Sequence, residues 1–160
     1  MTEEIHIRPA KTADATGFAL MARDLVELGL GWTWTAPRIA RHIRSPDSVV
    51  LAARAGNRIA GFAIMRFGNE EAHLDLLAVK PAFRRAGTGR RLMEWLEESA
   101  LVAGVSVIYL EVRENNAEAR AFYEALGYCR VRRLSGYYRG RETAVCMARD
   151  LWCRETSAES

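Results

Sequence analysis

Ile5 and Ile7 alternate with His6 and Arg8, which predicts a short strand that Pro9 ends. Thr12 then reads as a helix N-cap, and Phe18, Met21, Leu25 and Leu28 recur at helical spacing until Gly29 and Gly31 stop the run. Trp32 to Ala36 is a loop, and Pro37 opens a short helix through Ile39, Ala40 and Ile43. After the turn Ser45-Pro46-Asp47, Val49 to Ala53 is a strand. Ala55-Gly56-Asn57-Arg58 is a hairpin turn, and Ile59 to Phe67 returns. Gly68-Asn69-Glu70 turns the chain into a third strand, Ala72 to Val79, closed by Pro81.

From about Gly87 the period changes. Leu92, Leu96, Ala100 and Ala103 share one helical face, and Gly104 ends the helix. Val105 to Val112 is a β-branched strand. Asn115 with Glu118 reads as a capping box for a helix that ends at Gly127. Strands at Tyr128–Leu134 and Glu142–Ala148 follow, joined by a loop over Ser135–Arg141. The predicted order is β-α-α-β-β-β-α-β-α-β-β. Such an order buries its apolar positions as one mixed, mostly antiparallel sheet flanked by helices, an α/β fold. The chain of 160 residues is read as a single domain over 1–153, with a polar tail over 154–160.

Composition narrows the class. Hydrophobic residues at 49% and charged residues at 27% are ordinary for a globular domain. No apolar run reaches membrane-spanning length, and Met1-Thr2-Glu3-Glu4 is not a basic leader, so a cytoplasmic protein without a membrane partner is expected. Cys129, Cys146 and Cys153 form no Cys-x-x-Cys pair, so neither a metal site nor a disulfide framework is expected. Cys129 and Cys146, in strand-like runs, read as buried small hydrophobes. The net charge of +3 is too small to argue for nucleic acid over a phosphorylated small molecule.

The candidate chemistry begins at Arg84-Arg85-Ala86-Gly87-Thr88-Gly89, which runs directly into the helix starting Arg90-Arg91. Unpaired N–H groups and the helix dipole make a helix N-terminus attractive to anions. Glycines there let the backbone approach a phosphate closely. The run is neither a P-loop nor a dinucleotide fingerprint, since Leu92 stands where the latter needs its last glycine. Arg-x-x-Gly-x-Gly after a strand resembles the coenzyme A pyrophosphate loop of the GNAT family of acyltransferases. The predicted element order is also that of the GNAT fold. The segments Leu77–Gly89, Leu110–Ala117 and Ala121–Tyr128, with Tyr137-Tyr138 before Gly140-Arg141-Glu142, look like the bacterial branch that acetylates the N-terminal α-amine of ribosomal proteins. That branch usually carries a Phe-Pro-Trp-like segment after the first helix. Here the loop reads Gly31-Trp32-Thr33-Trp34-Thr35-Ala36-Pro37.

The resemblance implies acetyl-CoA as co-substrate and no metal. Leu77, Ala78, Val79, Arg84, Arg85, Ala86, Gly87, Thr88, Gly89, Arg90 and Asn116 would hold it. In the resembled branch, Glu111 of Leu-Glu-Val-Arg is the general base and Tyr123 the acid that protonates the leaving thiolate. Read from the residues alone, Glu111 is equally an ion-pair partner of Arg113 or another arginine, and Tyr123 an aromatic packed beside Phe122. His73 is the rival base, because a neutral imidazole accepts protons near physiological pH. Asp75 shares the strand parity of His73 and either orients the imidazole or binds a cationic acceptor. Trp32, Trp34, Tyr137 and Tyr138 are candidates for the acceptor wall. The expected function is acetyl-CoA-dependent N-acetylation of a protein or peptide N-terminal amine. Alternatives are a small-amine acetyltransferase (polyamine, amino acid or drug) or a non-catalytic CoA-binding module. A homodimer is the candidate assembly.

Overall fold

The computed structural model describes residues 4–84, 86–138, 140 and 142–152. Arg85, Arg139, Arg141, Cys153 and the tail over 154–160 lie outside the described residues. The elements run β1 (Ile5–Pro9), α1 (Ala15–Met21), α2 (Ala36–Arg44), β2 (Ser48–Ala55), β3 (Arg58–Phe67), β4 (Glu71–Val79), α3 (Thr88–Val102), β5 (Val107–Arg113), α4 (Ala117–Ala125), β6 (Cys129–Tyr138) and β7 (Glu142–Asp150). This is the order expected from the pattern. The strands form one seven-stranded sheet in the order β1-β2-β3-β4-β5-β7-β6. β4 and β5, joined through α3, pair in parallel over Glu71↔Val107, Ala72↔Ile108 and His73↔Tyr109, while the β1–β2, β2–β3, β5–β7 and β6–β7 pairs are antiparallel.

Packing divides the chain into two compact units. The first comprises the described residues up to Phe67 together with Leu74–Glu98. Its core sets Phe18, Ala19 and Ala22 with Trp34 and Ile39 against Val50 and Ala52 of β2, Phe62 and Ile64 of β3, and Leu76 and Ala78 of β4. The Phe18 and Phe62 rings stack 4.4 Å apart. Burying each such large side chain contributes about 1.5–3 kcal/mol. Gly61 is required where β3 meets β4, because a Cβ there would lie 2.7 Å from the Ala78 carbonyl oxygen.

The second unit comprises Gly68–His73 and the described residues from Ser99 onward. β5 alternates cleanly: Ile108, Leu110 and Val112 are buried, while Tyr109, Glu111 and Arg113 are partly exposed. Ala144 to Met147 of β7 are all buried.

Five expectations change. Thr12 is not the N-cap; it begins a 3₁₀ turn over Thr12–Asp14, and the Asp14 carboxylate accepts the Lys11 N–H at 2.9 Å. After Met21 the first helix widens into a π segment, Ala22–Val26, closed by Glu27 N–H to Ala22 C=O at 2.8 Å. The helical face is lost there, and Leu28 is exposed rather than packed. Asn116, not Asn115, caps α4, its side chain accepting the Ala119 N–H at 3.1 Å. Glu118 is then the second helical residue and cannot close a capping box.

β6 continues through Tyr138, so Ser135–Tyr138 are strand rather than loop. Register shifts between Leu134 and Tyr138, with Gly136 at φ 66, let the strand absorb the residues that read as a turn. Cys146 is buried as expected, but Cys129 is exposed, because it begins a strand at the end of the sheet order.

Candidate active site

The second unit brings together several residues singled out from the sequence. His73 is the last residue of β4 paired with β5, and Glu111 lies two residues beyond its partner Tyr109. The His73 Nε2 is 2.6 Å from Glu111 Oε1, and the Tyr137 hydroxyl donates to the same oxygen at 3.2 Å. The Glu111 side chain is only 14% exposed, and that of His73 29%. Cys146 stands directly across the β5–β7 ladder from Glu111. Burial pushes the Cys146 thiol upward, and the Glu111 charge adds to it, so this cysteine is held as a thiol. Burial likewise raises the Tyr138 phenol, reinforced by Tyr137 and by the charge of Glu111. Arg113 pairs with Glu142 at 3.5 Å and lies over the Tyr138 ring at 5.8 Å.

Tyr123, on the buried side of α4, contacts the rings of Phe122 and Tyr128 at 5.1 and 5.8 Å. Burial raises its titration well above the ordinary phenol range, with Tyr138 adding a smaller upward push. A phenol in that state is protonated at every physiological pH and holds its proton more tightly than a solvated phenol does. Asn116, at the start of the same helix, uses its Oδ1 as the cap.

In the first unit, α3 begins at Thr88, immediately after Gly87, whose φ is 79°. A Cβ at Gly87 would meet nothing within 4 Å, so the backbone here is open to a ligand on that side. Thr88 is buried and its hydroxyl donates to the Phe83 carbonyl at 3.3 Å, fixing the loop from within. Arg84 donates to the Val79 carbonyl at 2.9 Å, which ties the loop to the end of β4. Ala86, Gly87 and Arg90 are exposed, and Gly89 is half-buried. Leu77, Ala78 and Val79 follow the stretch of β4 that pairs with β5. An open glycine turn at the head of a helix, with arginines around it, fits a pyrophosphate.

The tryptophan loop is held by a residue the sequence did not signal. The Glu27 carboxylate accepts the N–H groups of Thr33 at 2.9 Å and of Trp34 at 3.1 Å, and also the Thr33 hydroxyl. Trp34 is a core residue, 9% exposed, with Arg38 stacked 3.6 Å over its ring. The Trp32 indole donates to the Ala19 and Trp34 carbonyls, each at 3.1 Å. Asp75 pairs with Arg66 at 2.6 Å, a partner that the parity argument did not suggest. Glu27 lies where the helical period breaks, and Arg66 on a neighbouring strand. Neither position announces its role in one dimension.

The element order, the glycine turn before α3 and the strand-borne carboxylate coincide with a family match. Residues 19–128 match the acetyltransferase (GNAT) family. The chain belongs to the GNAT acetyltransferase family. A [ribosomal protein bS18]-alanine N-acetyltransferase of Salmonella typhimurium is 42% identical to this GNAT chain over 101 residues, covering 61% of the chain and 68% of that relative. The N-alpha-acetyltransferase RimI of Mycobacterium tuberculosis is 35% identical over 122 residues, covering 73% and 75% respectively. The crystal structure of the ribosomal-protein-S18-alanine N-acetyltransferase from Escherichia coli superposes with a TM-score of 0.79 at 30% identity, covering 92% of this chain and 94% of that one. Among the described residues, no helix of this GNAT protein is long and apolar enough to cross a membrane, and no group of three or more His, Cys, Asp or Glu could hold a metal ion.

Proposed function

We propose that this chain transfers the acetyl group of acetyl-CoA to the α-amine of a protein N-terminus. The observation that carries the reading is the Glu111 carboxylate, largely buried on a strand and held by donors from β4 and β6. The relatives named for N-terminal acetylation supply the acceptor class.

The chemistry asks little of the base. An α-amine titrates near about 8, so it is partly neutral at physiological pH, whereas a lysine near about 10.4 is not. Glu111 takes the proton that the ammonium must lose, directly or through a water, and the neutral nitrogen attacks the thioester carbon. The nitrogen passes its second proton to water as the tetrahedral species collapses, and water later returns a proton to the Tyr123 phenolate. Tyr123, protonated at rest, gives its phenolic proton to the departing thiolate as the sulfur gains charge. Gly87 and the first turn of α3 would receive the pyrophosphate, with Arg84 and Arg90 adding positive charge. Tyr137, half exposed beside Glu111, would line the acceptor path. Asp75 pairs with Arg66, so its charge is already balanced; this favours a peptide acceptor over a small polycation.

The test is thiol release from acetyl-CoA. The acceptors are peptides with free N-termini, lysine peptides with blocked N-termini, and small amines. Turnover on free N-termini alone is expected; turnover confined to small amines overturns the acceptor. Tyr123→Phe should lower kcat at least about tenfold, the scale of general acid catalysis, and leave acetyl-CoA affinity unchanged. Equal activity would reduce Tyr123 to packing.

A further inference from the structure

The contact between His73 and Glu111 has a direction that chemistry fixes. An ionised carboxylate has no hydrogen to give and only accepts. At 2.6 Å from Oε1, the His73 Nε2 must therefore carry the hydrogen whenever Glu111 is ionised. That nitrogen then has no lone pair to offer an acceptor amine. Through the nitrogen that faces Glu111, His73 therefore acts as a donor to the carboxylate and not as a base. Tyr137, also an O–H donor, meets the same oxygen from β6, so two donors on different strands converge on one atom.

We propose that His73 is a positioning residue that acts through Glu111, orienting the carboxylate and keeping it ionised while Glu111 serves as the base. The inference rests on the reading of Glu111 in the proposed reaction and assigns His73 its part in it. No bond to substrate is required of the imidazole. Its Nε2–H, with the Tyr137 hydroxyl, restricts rotation of a carboxylate that would otherwise swing on its side-chain torsions. A donor aimed at an ionised carboxylate also favours that ionised form over the protonated one.

Titratable or charged groups near the pair include Cys146 and Glu142 on β7, Tyr137, Tyr138 and Arg132 on β6, and Arg113 on β5. Burial holds Cys146 and Tyr138 neutral across the neutral range, Arg113 pairs with Glu142, and Arg132 acts beside Cys146.

Two variants separate positioning from bulk. His73→Leu removes the donor and keeps an apolar side chain; His73→Gln keeps an amide N–H in reach of Oε1. In His73→Leu, kcat should fall about tenfold or more, the scale of one lost hydrogen bond to a charged group. The KM for acetyl-CoA should stay constant, and the acid limb of the pH–rate profile should move to higher pH, because Glu111 protonates more readily without its donor. His73→Gln should recover most of the lost kcat and return the acid limb. If His73→Leu leaves both kcat and the acid limb unaltered, the proposal is overturned. It is overturned equally if His73→Gln is as impaired as His73→Leu, since the imidazole itself would then be the proton acceptor.

A second readout needs no turnover. Ring ¹⁵N spectra of the protein contain signals from His6, His42 and His73. The signal absent from His73→Gln should titrate at clearly lower pH in Glu111→Gln than in the wild type, because a neighbouring anion favours the imidazolium. An unchanged titration shows that the pair does not exist in solution. If the wild type acetylates no acceptor yet the ring signal shifts, the proposed reaction fails while the pairing stands.

Discussion

Removing the Glu27 carboxylate tests whether the tryptophan loop is held from the end of the first helix. Glu27→Ala strands the N–H groups of Thr33 and Trp34 and the Thr33 hydroxyl. Thr33 is exposed, so water replaces most of its loss; Trp34 is 9% exposed, so its amide is the costly one. One charge-assisted bond at about 1.5–3 kcal/mol, plus a small remainder for the solvated groups, gives about 2–3 kcal/mol. For a chain of this size, roughly 2–4 °C of Tm accompanies each kcal/mol, so the midpoint should fall by roughly 5–10 °C. Glu27→Gln keeps an acceptor oxygen without the charge and should lose about half as much. Thermal denaturation followed by circular dichroism reads both. A Glu27→Ala midpoint within about 1 °C of the wild type would refute the reasoning, because the loop would then be held by Trp34 and Arg38 alone.

Gly87→Val forces a β-branched residue to φ near 79°; acetyl-CoA affinity by calorimetry should fall at least about tenfold, and unchanged affinity would remove the loop from the cofactor site. Gly61→Ala should lower Tm through a cost of about 1–3 kcal/mol, since its Cβ would press on the Ala78 carbonyl; an unchanged midpoint would show that β3 and β4 separate freely. His42 is held below the ordinary histidine range, chiefly by burial, with Arg38, Arg66 and Arg41 adding to the effect against an opposing contribution from Asp75. The unfolded chain therefore binds the His42 proton first as pH falls. Stability from this group is complete above about pH 6.5 and declines below it. Denaturant melts at pH 7.5 and 5.5 should show a smaller decline in His42→Asn than in the wild type.

Periodic positions carried most of the fold. Leu92 and Leu96 on α3 and Ile108, Leu110 and Val112 on β5 are buried as their spacing requires. Where the reading failed, a local competitor decided. The π turn at Ala22–Val26 broke a sound helical period, and Asn116 outcompeted its neighbour Asn115 for the cap because its side chain reaches the Ala119 N–H. The residues around Glu111 were individually legible, but their juxtaposition was not. His73 and Tyr137 lie 38 and 26 positions from Glu111 along the chain, and only strand register brings them to one carboxylate oxygen. Glu27 was invisible because a solvent-facing glutamate after a helix is ordinary until its amide partners are placed.

β6 ends the sheet order, and Arg130, Val131, Arg132 and Arg133 on it are all exposed, with register shifts interrupting its ladder. An outermost strand is an open template for a second chain, and like charges and irregular pairing are what discourage such templating. Arg133 is balanced by Glu114, so the like charge that would oppose a second chain along this strand falls to Arg130 and Arg132. High ionic strength shortens the range of that repulsion, while Val131 and Cys129 stay exposed on the same strand.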